Sequence, residues 1–277
     1  MIAKRMRDIL PPLSLKESLE VSAIYSISGM LDNNRALITK RPFLNPHHTI
    51  SGQALSGGGR VPKPGVISLA HRGVLFLDEL AEFKRDTLDI LRQPLEDKKV
   101  QIARSSGTFT YPADFMLVGA SNPCPCGYYP DKNRCRCTPS EIHNYMRHIS
   151  GPILDRMDIC IEAPKIEVSQ LQSRKKGEST KSMQEKVMAA RKRQEERYRG
   201  TSFSFNADLG PKDMESYCFL GEGEKRMMEE AFRTMDLSAR AYHRVIKVAR
   251  TIAEVEGTDK ITEGHLAEAL CYRTGER

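Results

Sequence analysis

The stretch Gly73-Val-Leu-Phe-Leu-Asp78-Glu79 constrains this chain more than any other. Four consecutive apolar residues leave no polar face, so as a strand they need cover on both sides. That is the condition of a parallel sheet inside an α/β fold. The two acids then stand at the C-terminal end of the strand, the edge where open α/β sheets bind ligands. There one carboxylate can hold Mg²⁺, often through water. The next can orient or deprotonate the attacking water of nucleotide hydrolysis. An acidic turn after a buried strand fits the same residues.

A second buried-strand candidate, Phe115–Ala120, ends in Ser121-Asn122. A neutral amide at the tip of a neighbouring strand could position the same water or a phosphate. An Asx turn before Pro123 is the plainer alternative. Val100–Arg104 and Thr108–Tyr111, flanking Ser105-Ser-Gly107, predict a β-hairpin that carries Arg104. The Gly- and Pro-rich stretch from Pro42 to Gly65 is too long for a turn and predicts either a functional loop or disorder. Ile159-Cys-Ile161 reads as a third strand.

Helices are predicted over Met1–Leu10, from the capping box Ser14-Leu-Lys-Glu17 to about Gly29, over Lys84–Arg92, and after Thr138-Pro-Ser-Glu141. In the second, Leu15, Leu19, Ala23 and Ile27 form one apolar stripe. Beyond a polar, basic linker at 165–181 the chain reads helical throughout, over Ser182–Arg199, Pro211–Phe219, Glu222–Met235, Ser238–Glu256 and Thr262–Tyr272. The expected organisation is an α/β core at 1–164, the linker, and a helical lid at 182–277.

The chain has 277 residues, 39% hydrophobic and 29% charged, which fits a soluble, cytoplasmic globular protein. No apolar run approaches the ~18 residues of a membrane span, and no signal peptide opens the chain. A net charge of +7 permits a polyanionic partner and equally serves solubility. Four of the seven cysteines crowd into Cys124–Cys137. Without an export signal such crowding favours metal or redox chemistry over disulfides.

Cys124-Pro-Cys126 and Cys135-Arg-Cys137 could complete a tetrahedral Zn²⁺ shell, although the C-x-C spacing is tighter than the usual C-x₂₋₄-C. Reduced thiols are the alternative. Cys160, Cys218 and Cys271 sit in apolar settings and are expected in the core. The His47-His48 pair could be metal ligands or phosphate contacts, but in a Gly-rich loop reads as plain polar residues. Arg174-Lys-Lys176 and Arg191-Lys-Arg193 read as solvated faces.

Longer motifs carry a resemblance. Arg41-Pro-Phe, Pro46-His-His-Thr-Ile-Ser51, Pro64–His71, Gly73–Leu80, Leu91-Arg-Gln-Pro-Leu-Glu96 and Asn122-Pro-Cys-Pro-Cys-Gly127 are similar to the magnesium-chelatase-like AAA+ ATPase family. So are Ser150–Arg156 and Leu237–Arg244. The resemblance covers essentially the whole chain and is nearest to the competence-related branch of the family. It implies a P-loop NTPase core, a parallel sheet flanked by helices with β-hairpin insertions, plus an all-α lid.

It also implies roles. Asp78 and Glu79 match Walker B, with Asp78 holding Mg²⁺ through water. Asn122 matches sensor 1. Arg156 matches an arginine finger for a neighbouring subunit, and Arg240 matches a sensor 2 arginine reaching ATP phosphate. Arg104 and the Pro42–Gly65 stretch match elements lining the pore of related rings, which implies a DNA contact.

The family's G-x-x-x-x-G-K-[ST] phosphate loop does not occur among these residues. The resemblance places it directly before Met1, so the expectation is a chain that starts just after it, through truncation or a late start. The expected function is an ATP-driven, ring-forming, hexameric motor acting on DNA. A chelatase-type subunit coupling ATP to metal insertion is one rival. A non-catalytic, zinc-stapled module is the other.

Overall fold

The computed structural model describes residues 2–32, 37–105, 107–163 and 177–273. The expected linker and Arg174-Lys-Lys176 lie largely outside them. The chain divides into two compact units, one of residues 1–8 and 12–156, the other of residues 9–11 and 157–277.

The first unit is built on a three-stranded parallel sheet in the order β1 (Phe43–Leu44), β4 (Val74–Leu77), β7 (Met116–Gly119). All four residues of β4 are buried, as a strand without a polar face requires. Ile67, Leu80, Phe83, Leu88, Leu91 and Ile153 are buried in the same unit. Gly73 admits β1 to its neighbour: a Cβ there would lie 2.2 Å from the Pro42 carbonyl oxygen. The outer strand β7 is half exposed and, among the described residues, pairs only with β4.

Two antiparallel pairs extend this unit. Between β1 and β4, β2 (Gly57–Gly58) pairs with β3 (Lys63–Pro64). The predicted hairpin is present as β5 (Lys99–Arg104) against β6 (Gly107–Pro112), with Arg104 opposite Gly107 at its tip. The Pro42–Gly65 stretch therefore holds β1, a helical turn at Gly52–Ser56 and the first strand pair.

The Leu15–Ser28 helix has the predicted Ser14 capping box but presents the opposite face to the core. Ser18, Val21, Ser22 and Ile24 are buried, whereas Leu15, Leu19 and Ile27 are exposed. Polar anchors set its rotation. Glu20 bonds His71 at 3.2 Å and Arg72 at 3.0 Å. The Ser22 hydroxyl accepts the Ile38 N–H at 2.8 Å. Such fixed polar contacts outweigh an apolar stripe that no neighbour covers.

Three other expectations need correction. Lys84–Arg92 is not one helix but two short ones, Arg85–Asp89 and Arg92–Asp97. Ile159-Cys-Ile161 forms no strand, and both isoleucines are exposed. Cys218 is buried as expected, but Cys160 is half-buried and Cys271 exposed.

The second unit is helical: Thr180–Arg197, Met214–Tyr217, Glu222–Thr234, Ala239–Val255 and Glu263–Cys271. Pro211–Phe219 thus keeps only one helical turn. Its core joins Leu209, Met228, Val245, Ile246, Ala249 and Leu266. Within it, the fully buried Glu254 carboxylate accepts from Gln194 at 2.7 Å, from Asn206 at 2.9 Å and from Arg197. Removing one member of a buried ionic group strands the others. Glu254→Ala is therefore expected to destabilise this unit by about 3–5 kcal/mol. Chemical denaturation checks it, and a loss within about 0.5 kcal/mol, the range of an ordinary surface substitution, would show the group to be dispensable.

Candidate functional site

Parallel register assembles the site. Leu77 stands opposite Gly119, Ala120 donates its N–H to Leu77 at 2.9 Å, and Leu80 donates to Ala120 at 2.8 Å. Asp78-Glu79 and Ser121-Asn122 consequently leave the sheet side by side at one edge, and all four are exposed. Glu79 takes a left-handed backbone, φ 53°, which turns the chain sharply off the strand. Its N–H donates to Asp78 Oδ1 at 3.1 Å, so the backbone holds the first carboxylate at one oxygen.

The loop after β1 reaches the same edge. His48 Nδ1 lies 3.1 Å from Glu79 Oε2. The His47 ring sits 4.1 Å from that of His48, and Phe83 meets His48 edge-on at 6.4 Å. His48 is therefore a partner of the second acid rather than an idle loop residue. The two are 31 positions apart, and only the pairing of β1 beside β4 reveals the contact. Tyr145, on the Pro139–Met146 helix, borders this edge as well. Burial first, and the nearby Glu82 carboxylate next, push its hydroxyl above the usual phenol range.

The three candidate arginines each have their own surroundings. Arg156 is largely covered, pairs with Glu96 at 2.8 Å and donates to the Pro152 carbonyl at 2.6 Å. Arg240 belongs to the helical unit, exposed on the first turn of the Ala239–Val255 helix, which Ser238 caps. Arg104 is exposed at the hairpin tip and donates to the Ala103 carbonyl at 2.9 Å.

Just beyond Asn122 the chain closes a cage. The sulfurs of Cys124, Cys126, Cys135 and Cys137 all lie within 4.8 Å of one another. Pairs stand at 3.4, 3.8 and 3.6 Å. Four sulfurs bound tetrahedrally at ~2.3 Å from one Zn²⁺ would stand about 3.8 Å apart, so this donor set fits the ion. Tyr129 donates its N–H to Cys124 Sγ at 3.4 Å.

The Cys126 thiol is held down to about 6, first by the Tyr128 N–H. Cys137 accepts a Cys126 backbone N–H, yet hydrogen bonding and charge from neighbouring thiols push it up to about 12. The crowded thiols thus share hydrogen bonds and charge unequally, lowering one and raising another.

Comparison with known proteins agrees along the chain. Residues 1–171 match the family described as magnesium chelatase, subunit ChlI, and residues 177–273 match its C-terminal region. The uncharacterized protein YifB of Salmonella typhimurium is 44% identical over 278 aligned residues, covering 100% of this chain and 54% of that protein. Competence protein ComM of Haemophilus influenzae is 43% identical, covering 99% of this chain and 53% of its own. The magnesium-chelatase 67 kDa subunit of Chlorobaculum parvum is 36% identical over 69 residues, 25% of this chain and 11% of that subunit. The chain thus spans about half the length of the curated relatives it matches. With a small parallel sheet, antiparallel hairpins, a helical region and these matches, the chain belongs to the magnesium chelatase ChlI-like family of AAA+ ATPases.

Proposed function

We propose that these residues are part of an ATP-hydrolysing ring motor that acts on DNA. The register of β4 beside β7 carries this reading, because it presents Asp78, Glu79 and Asn122 together at one exposed sheet edge. Mg²⁺ held at Asp78 through water would supply charge neutralisation to the phosphates. Glu79 accepts the proton of the attacking water, Asn122 orients that water, and Arg240 holds a phosphate oxygen. Arg156 serves a neighbouring subunit's nucleotide. The cysteine cage holds one structural Zn²⁺, which fixes the loop that follows Asn122.

DNA is preferred over metal insertion as the work of the motor. A competence protein matches 99% of the chain, whereas the named chelatase subunit matches 25%. The exposed Arg104 and the +7 charge suit a polyanion. A ring brings several Arg104 hairpins to one axis, where weak phosphate contacts add through multivalency.

The full-length protein is therefore expected to form a ring, a hexamer, whose DNA affinity falls steeply with salt. Arg104→Glu should weaken that affinity about tenfold or more, since every subunit loses a phosphate contact and gains a repulsion. Fluorescence anisotropy across a salt series measures both. Normal binding by the variant would move the contact to the Pro42–Gly65 loop. A ring without salt-sensitive DNA binding would hand the function to metal insertion.

A further inference from the structure

The cysteine loop, residues 124–137, also carries Tyr128, Tyr129, Lys132, Arg134 and Arg136, none of which the nucleotide site uses. All five are exposed, the tyrosines by 40% and 47%. Cys135 and Cys137 turn their sulfurs into the cage. Arg134 closes the turn that begins at Asp131, donating its N–H to the Asp131 carbonyl at 3.1 Å, and Arg136 stands between the two cage cysteines; both arginines are exposed. The Arg134 guanidinium lies 4.3 Å from the centre of the Tyr128 ring, a cation–π contact that steadies both groups.

The backbone N–H groups of Tyr128 and Tyr129 bond the sulfurs of Cys126 and Cys124. The cage therefore anchors the backbone from which both rings project. Asp131, the loop's one acid, is engaged in its own turn, accepting the Asn133 N–H at 3.1 Å.

An apolar partner would leave three cations unmatched, and an acidic peptide would leave the rings unused. A single nucleic-acid strand uses both, because bases stack on aromatic rings while the phosphates pair with Lys and Arg. A duplex hides its base faces inside the stack. We infer that this face binds single-stranded nucleic acid, with bases on Tyr128 and Tyr129 and phosphates against Lys132, Arg134 and Arg136. The contact goes beyond the motor reading and is independent of it, since it needs neither a nucleotide nor a ring.

The chain contains no tryptophan, so Tyr128→Trp places a single emitter on this face. An oligothymidylate of about 20 nucleotides, longer than one such site spans, is expected to quench that emission. Quenching by oligouridylate instead would identify RNA as the source and support the inference equally. Tyr128→Ala with Tyr129→Ala should weaken binding of the fluorescent oligonucleotide about tenfold or more. Phenylalanine at both positions should retain it, because stacking uses the ring and not the hydroxyl. Lys132→Gln, Arg134→Gln and Arg136→Gln together should flatten the slope of log affinity against log salt by about 2, at ~0.7 per contact on a single strand.

Equal affinity of the double alanine variant and the parent chain would overturn the inference. So would a preference for duplex with no quenching. If Arg104→Glu alone abolished binding, the hairpin would carry the contact and the motor reading would stand without this one. Quenching by single strands in a full-length protein that turns over no ATP would sink the motor reading only.

Discussion

In the full-length protein, Arg156→Ala is expected to lower ATP turnover roughly 10³-fold or more while leaving nucleotide binding nearly intact, the loss typical of a missing arginine finger. The side chain already sits in an anionic clasp, 2.8 Å from Glu96. To serve a neighbour's nucleotide it exchanges one anion for another, so the charge and the planar donors are what the substitution removes. Glu79→Gln should cut turnover about 10²- to 10⁴-fold for a different reason, since the amide cannot take the proton.

Mixing separates the two. Glu79→Gln subunits keep Arg156, so adding them to Arg156→Ala subunits should restore activity at sites where an intact Glu79 meets an intact finger. Steady-state ATPase assays across mixing ratios measure it. If no ratio recovers turnover, Arg156 acts within its own subunit or not at all.

Disruption of the cysteine cage has the second largest expected effect. Purified protein should contain about one Zn²⁺ per chain, because a single tetrahedral site consumes all four thiolates. Cys135→Ser should lower that content and the melting temperature together, by about 2–4 °C for each kcal/mol of metal-linked stability lost. Acidification should release the ion, since each thiolate must take back a proton to leave. Elemental analysis and calorimetry supply the numbers. Metal-free protein that melts like the parent after Cys135→Ser would refute the site.

Much of the candidate site was legible because its chemistry is local in sequence. An apolar run ending in two acids, and another ending in an amide, mark strand tips by themselves. C-x-C pairs mark a cage because a loop of that length can fold back on itself. His48 was not legible in this way, since its contact with Glu79 depends on which strand lies beside which. The rotation of the Leu15–Ser28 helix escaped for a related reason. Periodicity finds an apolar stripe but not what covers it, and Glu20 and Ser22 turned the helix the other way. The exposed Ile159 and Ile161 show that three apolar residues are too few to separate a strand from an open segment.

The half-exposed outer strand has a practical consequence. Among the described residues Met116–Gly119 pairs on one side only and has half-apolar faces, and such a hem templates pairing with any extended chain it meets. Self-association through that hem is expected to rise with concentration, which light scattering across a dilution series would measure. A strand laid against β7 would act as a solubility device, quite apart from any chemistry it brought.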